Sequence, residues 1–284
     1  MQANRTKGAS GPPEGRHVNP LYRIFARLPS PARRLVAALV PAGRRARLRY
    51  WGRGERQVIN AELATLRGQE PWTNFRSGYS TAGMSERVVE IPWALSRLVD
   101  GRRVLDVGPA LAIPEYLAHL TSAGIPELHG VDLLDKPVAG MIMAQADVRQ
   151  MPYADAYFDR ISCISTLEHI GRDIHEWQIA GGRETDGDLK ALTELRRVLA
   201  PDGSLFVTVP FGKPGDHGWF WQYDLGGWKD LIQRAQLRPV GLDLFGYEPA
   251  GWTPAADPAA LERREYRGLG APGATALLCA VLTR

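Results

Sequence analysis

The residues of this chain that could do chemistry stand at regular intervals. Asp106 lies in the apolar run Val104, Leu105, Val107, and Gly108 follows directly. A carboxylate at a strand end can meet a ligand there. A glycine beside it lets the backbone pass closely, because no side chain takes the ligand's place. Asp132 comes 26 residues later, between Val131 and Leu133. At the tip of a second strand it would accept hydrogen bonds from both hydroxyls of a ribose, a contact shared by nicotinamide dinucleotides and adenosyl ligands. Asp216 and His217 are neighbours in the glycine-rich segment GKPGDHG, where either could take a proton from an acceptor. Close behind come Trp219, Phe220, Trp221, Tyr223 and Trp228, large rings suited to stack on a sugar or another flat, partly apolar molecule.

These residues need elements to position them, and the hydrophobic pattern supplies a repeating strand and helix order. Arg102 to Ala112 reads as a buried strand ending in a tight turn before a helix near Pro114 to Leu120. Glu127 to Leu134 is a second strand, and Met141 to Ala146 a third that ends at Asp147. A fourth begins at Phe158, and a helix from Leu189 to Leu199 precedes the fifth. Val240 to Phe245 and Ala276 to Leu282 make the sixth and seventh. Strands alternating with helices predict an α/β fold with a doubly wound, mostly parallel sheet of seven strands. The loop after the first strand is not a dinucleotide fingerprint: Pro109, Ala110 and Ala112 stand where GxGxxG would place glycines. No GxxxxGK[ST] phosphate loop occurs either.

The ordered set VLDVG (104–108), Asp132, Asp147, FDRISCISTLEHI (158–170) and ELRRVLAPDGSLFVTVPFG (194–212) resembles the class I S-adenosylmethionine-dependent methyltransferases, in the branch described as type 11. The resemblance covers residues 85 to 245 and implies a Rossmann-like methyltransferase fold with S-adenosylmethionine as cofactor. It implies that Asp106, Gly108 and Ala110 line the methionine end, and that Asp132 and Leu133 hold the ribose. Asp147 and the Val148 backbone N–H would meet the adenine, with Ser165 and Thr166 beside the sulfonium. His169 of LEHI then becomes a second candidate base, with bracing of the following helix as its alternative role. The sequence departs from the family in having alanines at the later glycine positions.

Charge divides the chain. Residues 1–56 hold 12 Arg and one Lys against two Glu, although the whole chain carries only +4. Met1 to Asn19 is too poor in apolar residues to order itself, and Tyr22 to Tyr50 suggests short basic helices. Such an N-terminal extension suits contact with an anionic membrane surface, or serves simply as a solvated arm. No zinc finger, RNA-stacking motif or basic zipper points to sequence-specific nucleic-acid binding. The methyltransferase-like domain is expected over residues 57–284, with N-terminal helices and a loop carrying Tyr79 and Ser80 as a lid. Ser85 would cap the helix that follows.

Cys163 and Cys279 lie in apolar runs and read as buried free thiols of a cytoplasmic protein. His175, Glu176 and Asp186 match no standard metal-ligand spacing, so no metal is expected. The leading expectation is methyl transfer to a small or glycosidic acceptor. A methyltransferase-like scaffold without turnover and an NAD-dependent oxidoreductase are the rivals.

Overall fold

Strand β1 (Arg103–Val107) runs through the middle of the sheet, and four of its five residues are buried because helices cover both faces. Near-continuous apolar runs are what a doubly covered parallel sheet requires. The computed structural model describes residues 53–66, 70–172 and 183–284. Residues 1–52 of the basic arm, with the anionic contact suggested for it, and His175 and Glu176 lie outside these, whereas its last residues, 53–56, begin the first helix.

The other strands are β2 (Glu127–Asp132), β3 (Ile142–Gln145), β4 (Phe158–Ile164), β5 (Leu199–Pro210), β8 (Arg238–Glu248), β9 (Gly251–Pro254) and β10 (Ala276–Thr283). A separate two-stranded hairpin pairs β6 (Gly215–Asp216) with β7 (Trp221–Gln222). The main sheet has the order β3-β2-β1-β4-β5-β10-β8-β9. Strands β1 to β5 are mutually parallel, and β10 is antiparallel to both β5 and β8. The order reverses between β1 and β4. A crevice for a ligand therefore opens outside the carboxyl ends of these two strands.

Among the described residues five α-helices flank the sheet: α1 (Arg53–Thr65), α2 (Arg87–Leu98), α3 (Pro114–Ser122), α4 (Gly187–Val198) and α5 (Leu225–Arg234). Ala191, Leu192, Leu195 and Val198 of α4 and Trp228, Leu231 and Ile232 of α5 join one core with the sheet. Val88, Val89, Ile91, Trp93, Leu95 and Leu98 of α2 are likewise buried, and α2 packs on β4 and β5. Among the described residues no helix is long and apolar enough to cross a membrane.

Two local features differ from the sequence reading. The sheet gains an eighth strand, because β9 folds back on β8 as an antiparallel hairpin. The final strand, β10, lies between β5 and β8, inside the sheet. Trp252 of β9 is held by long-range bonds, its N–H to Thr81 Oγ1 at 2.7 Å and its indole N–H to the Met84 carbonyl at 3.0 Å. No periodicity within so short a segment announces such contacts. Ser85 is not the cap of α2: Glu86 holds that position without a side-chain bond. The Ser85 N–H instead donates to Glu55 Oε1 at 2.6 Å.

Glu55 and Glu62 of α1 secure the loop that leads into α2. Glu62 is fully buried and accepts from the indole N–H of Trp72 and the backbone N–H groups of Arg76 and Ser77, each at 2.9 Å. Burial pushes the Glu55 carboxyl up to about 7. At the loop tip Tyr79 is exposed, and its hydroxyl accepts from Gln57 Nε2 of α1 at 3.1 Å.

Candidate functional site

The turn after β1 is built around Gly108. Its φ of 82° lies in the left-handed region, and its N–H donates to the Val131 carbonyl of β2 at 2.9 Å. A Cβ at this position would stand 2.8 Å from Thr166 Oγ1, after β4. Thr166 in turn donates from Oγ1 to the carbonyls of Val107 at 3.2 Å and Ile164 at 3.0 Å. The absence of a side chain at Gly108 thus lets the β1 and β4 turns close on each other. Pro109, Ala110 and Leu111 form one 3-10 turn, with Ala110 buried.

Asp132 ends β2 and reaches across to this turn. Its Oδ2 accepts from Ala110 N–H, and its Oδ1 from Leu134 N–H, both at 2.9 Å. The Lys136 ammonium donates to the Ala110 carbonyl, so the second strand tip grips the first turn from two sides. Asp106 lies deeper, with its Oδ1 accepting from Tyr116 OH at 2.8 Å and Ser162 Oγ at 2.6 Å. Asp147, after β3, is paired with Arg149 through Nε at 3.0 Å and Nη2 at 2.5 Å. The Arg149 side chain also holds Asp147 below the usual carboxylate range. Val148 beside it packs half-buried against the core. Leu133 is exposed.

The segment after β4 carries the next group. Ser165 is buried and has φ of 41°, a conformation non-glycine residues adopt only when their surroundings fix it. Its Oγ donates to Glu90 Oε2 at 2.7 Å, where Thr208 Oγ1 of β5 also donates at 3.0 Å. Glu90 is a fully buried residue of α2 and forms an ion pair with Arg87. No local pattern marks Glu90 as part of this site. A carboxylate amid the apolar positions of α2 is the only signal the sequence offers.

His169 is buried, with Nδ1 2.8 Å from the Trp219 carbonyl and its ring stacked on the Trp219 indole at 5.1 Å. A carbonyl only accepts, so Nδ1 carries the proton and Nε2 is the basic nitrogen. Burial pushes the His169 pKa down to about 4. Burial pushes Asp106 the other way, up to about 7, against the lowering effect of the Ser162 and Tyr116 bonds, while Asp132 adds a smaller upward push.

These shifts give a pH dependence with defined signs. The Asp106 contribution to stability is full below about pH 4 and is lost as pH rises to about 7; the His169 contribution is full above about pH 6.5 and is lost as pH falls to about 4. Replacing Asp106 by Asn removes the first alone. Between pH 4.5 and 6.5 the slope of unfolding free energy against pH should then become more positive by about 1 kcal/mol per pH unit, up to about 1.4. Urea denaturation across that range measures it, and identical slopes in the two proteins would refute the assignment.

The remaining candidates sit in the β6–β7 hairpin. The Asp216 carboxylate is paired with Arg183 and, at 3.5 Å, with Arg172, and accepts from Gly218 N–H at 2.7 Å. His217 is exposed and lies flat on Phe220, at 4.4 Å and 4°. The five aromatics divide. Phe220, Tyr223 and Trp228 are buried, whereas Trp219 and Trp221 are half-buried. Asp186 is near Lys190 at 3.7 Å, and no cluster of three or more metal-ligating side chains forms among the described residues.

The residues at the strand tips fit an adenosyl ligand in their chemistry. The half-buried Asp132 carboxylate already meets two N–H donors, so it is ready to accept from vicinal hydroxyls. Gly108 has the left-handed turn that close backbone approach requires.

Residues 82–240, more than half of the chain, match the family described as the methyltransferase domain. Comparison with curated proteins gives no match. Among solved structures the chain is similar to the [4+2]-cyclase SpnF, with 19% identity over 50% of this chain and a TM-score of 0.39. It spans about half, 54%, of that protein's length. It is similar to the 1,6-didemethyltoxoflavin-N1-methyltransferase of Burkholderia thailandensis, with 16% identity, 64% of this chain and 71% of that chain covered, and a TM-score of 0.40. An S-adenosylmethionine-dependent methyltransferase of Thermotoga maritima shares 13% identity over 65% of this chain and 83% of its own, with a TM-score of 0.41. By its ordered motifs, its sheet and the family match across residues 82–240, the chain belongs to the class I S-adenosylmethionine-dependent methyltransferases.

Proposed function

We propose that the chain transfers a methyl group from S-adenosylmethionine to an oxygen of a small acceptor, a sugar or another secondary metabolite, and does so in the cytoplasm. The observation that carries this reading is the junction of Asp132 with the Ala110 N–H at the point where the sheet order reverses. In this reading Asp132 and Leu133 flank the ribose, and Asp147 and Val148 the adenine. Asp106, Gly108 and Ala110 lie along the methionine end, with Ser165 and Thr166 next to the sulfur. Two free, buried cysteines accord with a reducing compartment.

The cofactor, when bound, would supply a methyl carbon activated by its positive sulfonium, to which an acceptor oxygen bonds as the carbon–sulfur bond breaks and its pair returns to sulfur. The chain then has to align the acceptor, exclude water and receive the hydroxyl proton. His169 is the better placed of the two histidines for the proton, because its Nε2 is left unprotonated by the Nδ1 bond to the Trp219 carbonyl and it follows β4 directly. His217 stands further out on the hairpin. Asp216 acts by holding Arg172 and Arg183 and not as a base.

Calorimetry with S-adenosylhomocysteine tests the reading. The protein should bind it, and Asp132→Ala should weaken binding by about 1 to 3 kcal/mol through the lost acceptor of two hydroxyl bonds. Absence of binding at millimolar ligand would favour the rival, a methyltransferase-like scaffold, for which the alanines of the β1 turn and the Asp147–Arg149 pair are the supporting features.

A further inference from the structure

Among the groups the proposed chemistry leaves unused, Arg172 stands apart. It closes the turn after β4, three residues beyond His169, and its N–H donates to the His169 carbonyl at 3.1 Å. The residue is only 7% exposed. A buried guanidinium ordinarily meets a carboxylate through two parallel bonds and fills its remaining donors, since an unmatched buried charge is costly. Arg172 is not matched in this way. Its Nη1 reaches Asp216 Oδ2 at 3.5 Å, and its buried Nε has no acceptor among the described residues. Arg183 binds the same Asp216 oxygen, so among the described residues two guanidinia share one carboxylate oxygen. The nearby carboxylate of Asp188 is engaged by the Tyr223 hydroxyl at 2.9 Å.

The surroundings of Arg172 are flat and aromatic. Its Cζ lies 5.1 Å above the Trp221 ring, while His169 stacks on Trp219 two residues earlier. A row of His169 and Arg172 therefore faces a row of Trp219 and Trp221, and both indoles keep part of their surface open. The row begins three residues after Thr166, which backs Gly108 across the β1 turn. A planar guanidinium whose Nε lacks an acceptor matches a planar carboxylate better than a point charge would.

We propose that Arg172, assisted by Arg183, recognises a carboxylate on the methyl acceptor, and that Trp219 and Trp221 carry the flat body of that acid. The inference rests on the methyltransferase reading above and narrows its acceptor to a carboxylic acid. Both arginines share one Asp216 oxygen, and the Arg172 Nε is left for the ligand.

The test uses the full-length protein saturated with S-adenosylhomocysteine, benzoate as the probe and benzamide as its neutral counterpart, followed by tryptophan fluorescence. Benzoate should bind at least 10-fold more tightly than benzamide. Arg172→Gln should lose this preference, with benzoate affinity falling 10-fold or more, and Arg172→Lys should fall between. S-adenosylhomocysteine affinity should stay within 2-fold of the parent in both variants, which shows that the fold and cofactor site survive. Equal binding of benzoate and benzamide, no binding of benzoate to the loaded protein, or an unchanged preference in Arg172→Gln would overturn the inference while leaving the methyltransferase reading intact. Failure of the parent protein to bind S-adenosylhomocysteine would overturn both.

Discussion

Replacing Gly108 by Val should lower the affinity for S-adenosylhomocysteine at least 100-fold, about 2.8 kcal/mol at 1.4 kcal/mol per tenfold change. Two causes act together. A β-branched residue at φ of 82° is strained, and the left-handed backbone costs an L-residue about 1 to 2 kcal/mol. In addition, the new Cβ would stand 2.8 Å from Thr166 Oγ1 and 3.1 Å from its Cγ2, so the β1 and β4 turns must part. Folding stability should fall by about 2 kcal/mol or more from the strain alone. The double variant Gly108→Ala with Thr166→Ala separates the causes, since it removes the contact and keeps the backbone strain. It should recover part of the affinity lost by Gly108→Ala. Calorimetry and urea denaturation on the same samples measure both effects. Wild-type affinity in the valine variant would mean that this turn does not border the cofactor.

The second large effect is expected at Glu62, far from any strand tip. Its carboxylate accepts from the Trp72 indole and from the N–H groups of Arg76 and Ser77, and the Ser77 hydroxyl donates to it as well. Alanine would leave these donors without an acceptor, and a buried donor left unpaired costs about 1 to 3 kcal/mol. Because the loop can partly reach water, we expect a total loss near 3 kcal/mol for Glu62→Ala. Glu62→Gln should lose almost as much, because an amide N–H₂ would face donors. Urea denaturation followed by tryptophan fluorescence reads the change. A loss below about 1 kcal/mol in both variants would show that the loop does not depend on this carboxylate.

Legibility followed the range of the interaction. VLDVG announced β1 and its turn because both strand hydrophobicity and left-handed glycine are local properties. Asp132 and Asp147 were placed at strand ends by spacing, and the tips of β2 and β3 lie side by side in the sheet. What these carboxylates touch was not legible. Asp147 pairs with Arg149 two residues on, and Asp106 meets Tyr116 and Ser162. The glycines around Asp216 and His217 suggested an open loop. They instead frame a short hairpin whose carboxylate is taken by two arginines.

The sequence by itself determined the alternation of strands and helices, the β1 turn and the family, since each is written in periodicity or in a contiguous motif. Only the tertiary structure decided that Glu90 of α2 binds Ser165 and Thr208, that β9 extends the sheet, and that Arg172 keeps a buried Nε without an acceptor among the described residues. The reason is physical. Periodicity reports which face of an element leaves water, whereas the partner of a buried charge is chosen by the elements that happen to pack against it, 75 and 118 residues away in the case of Glu90.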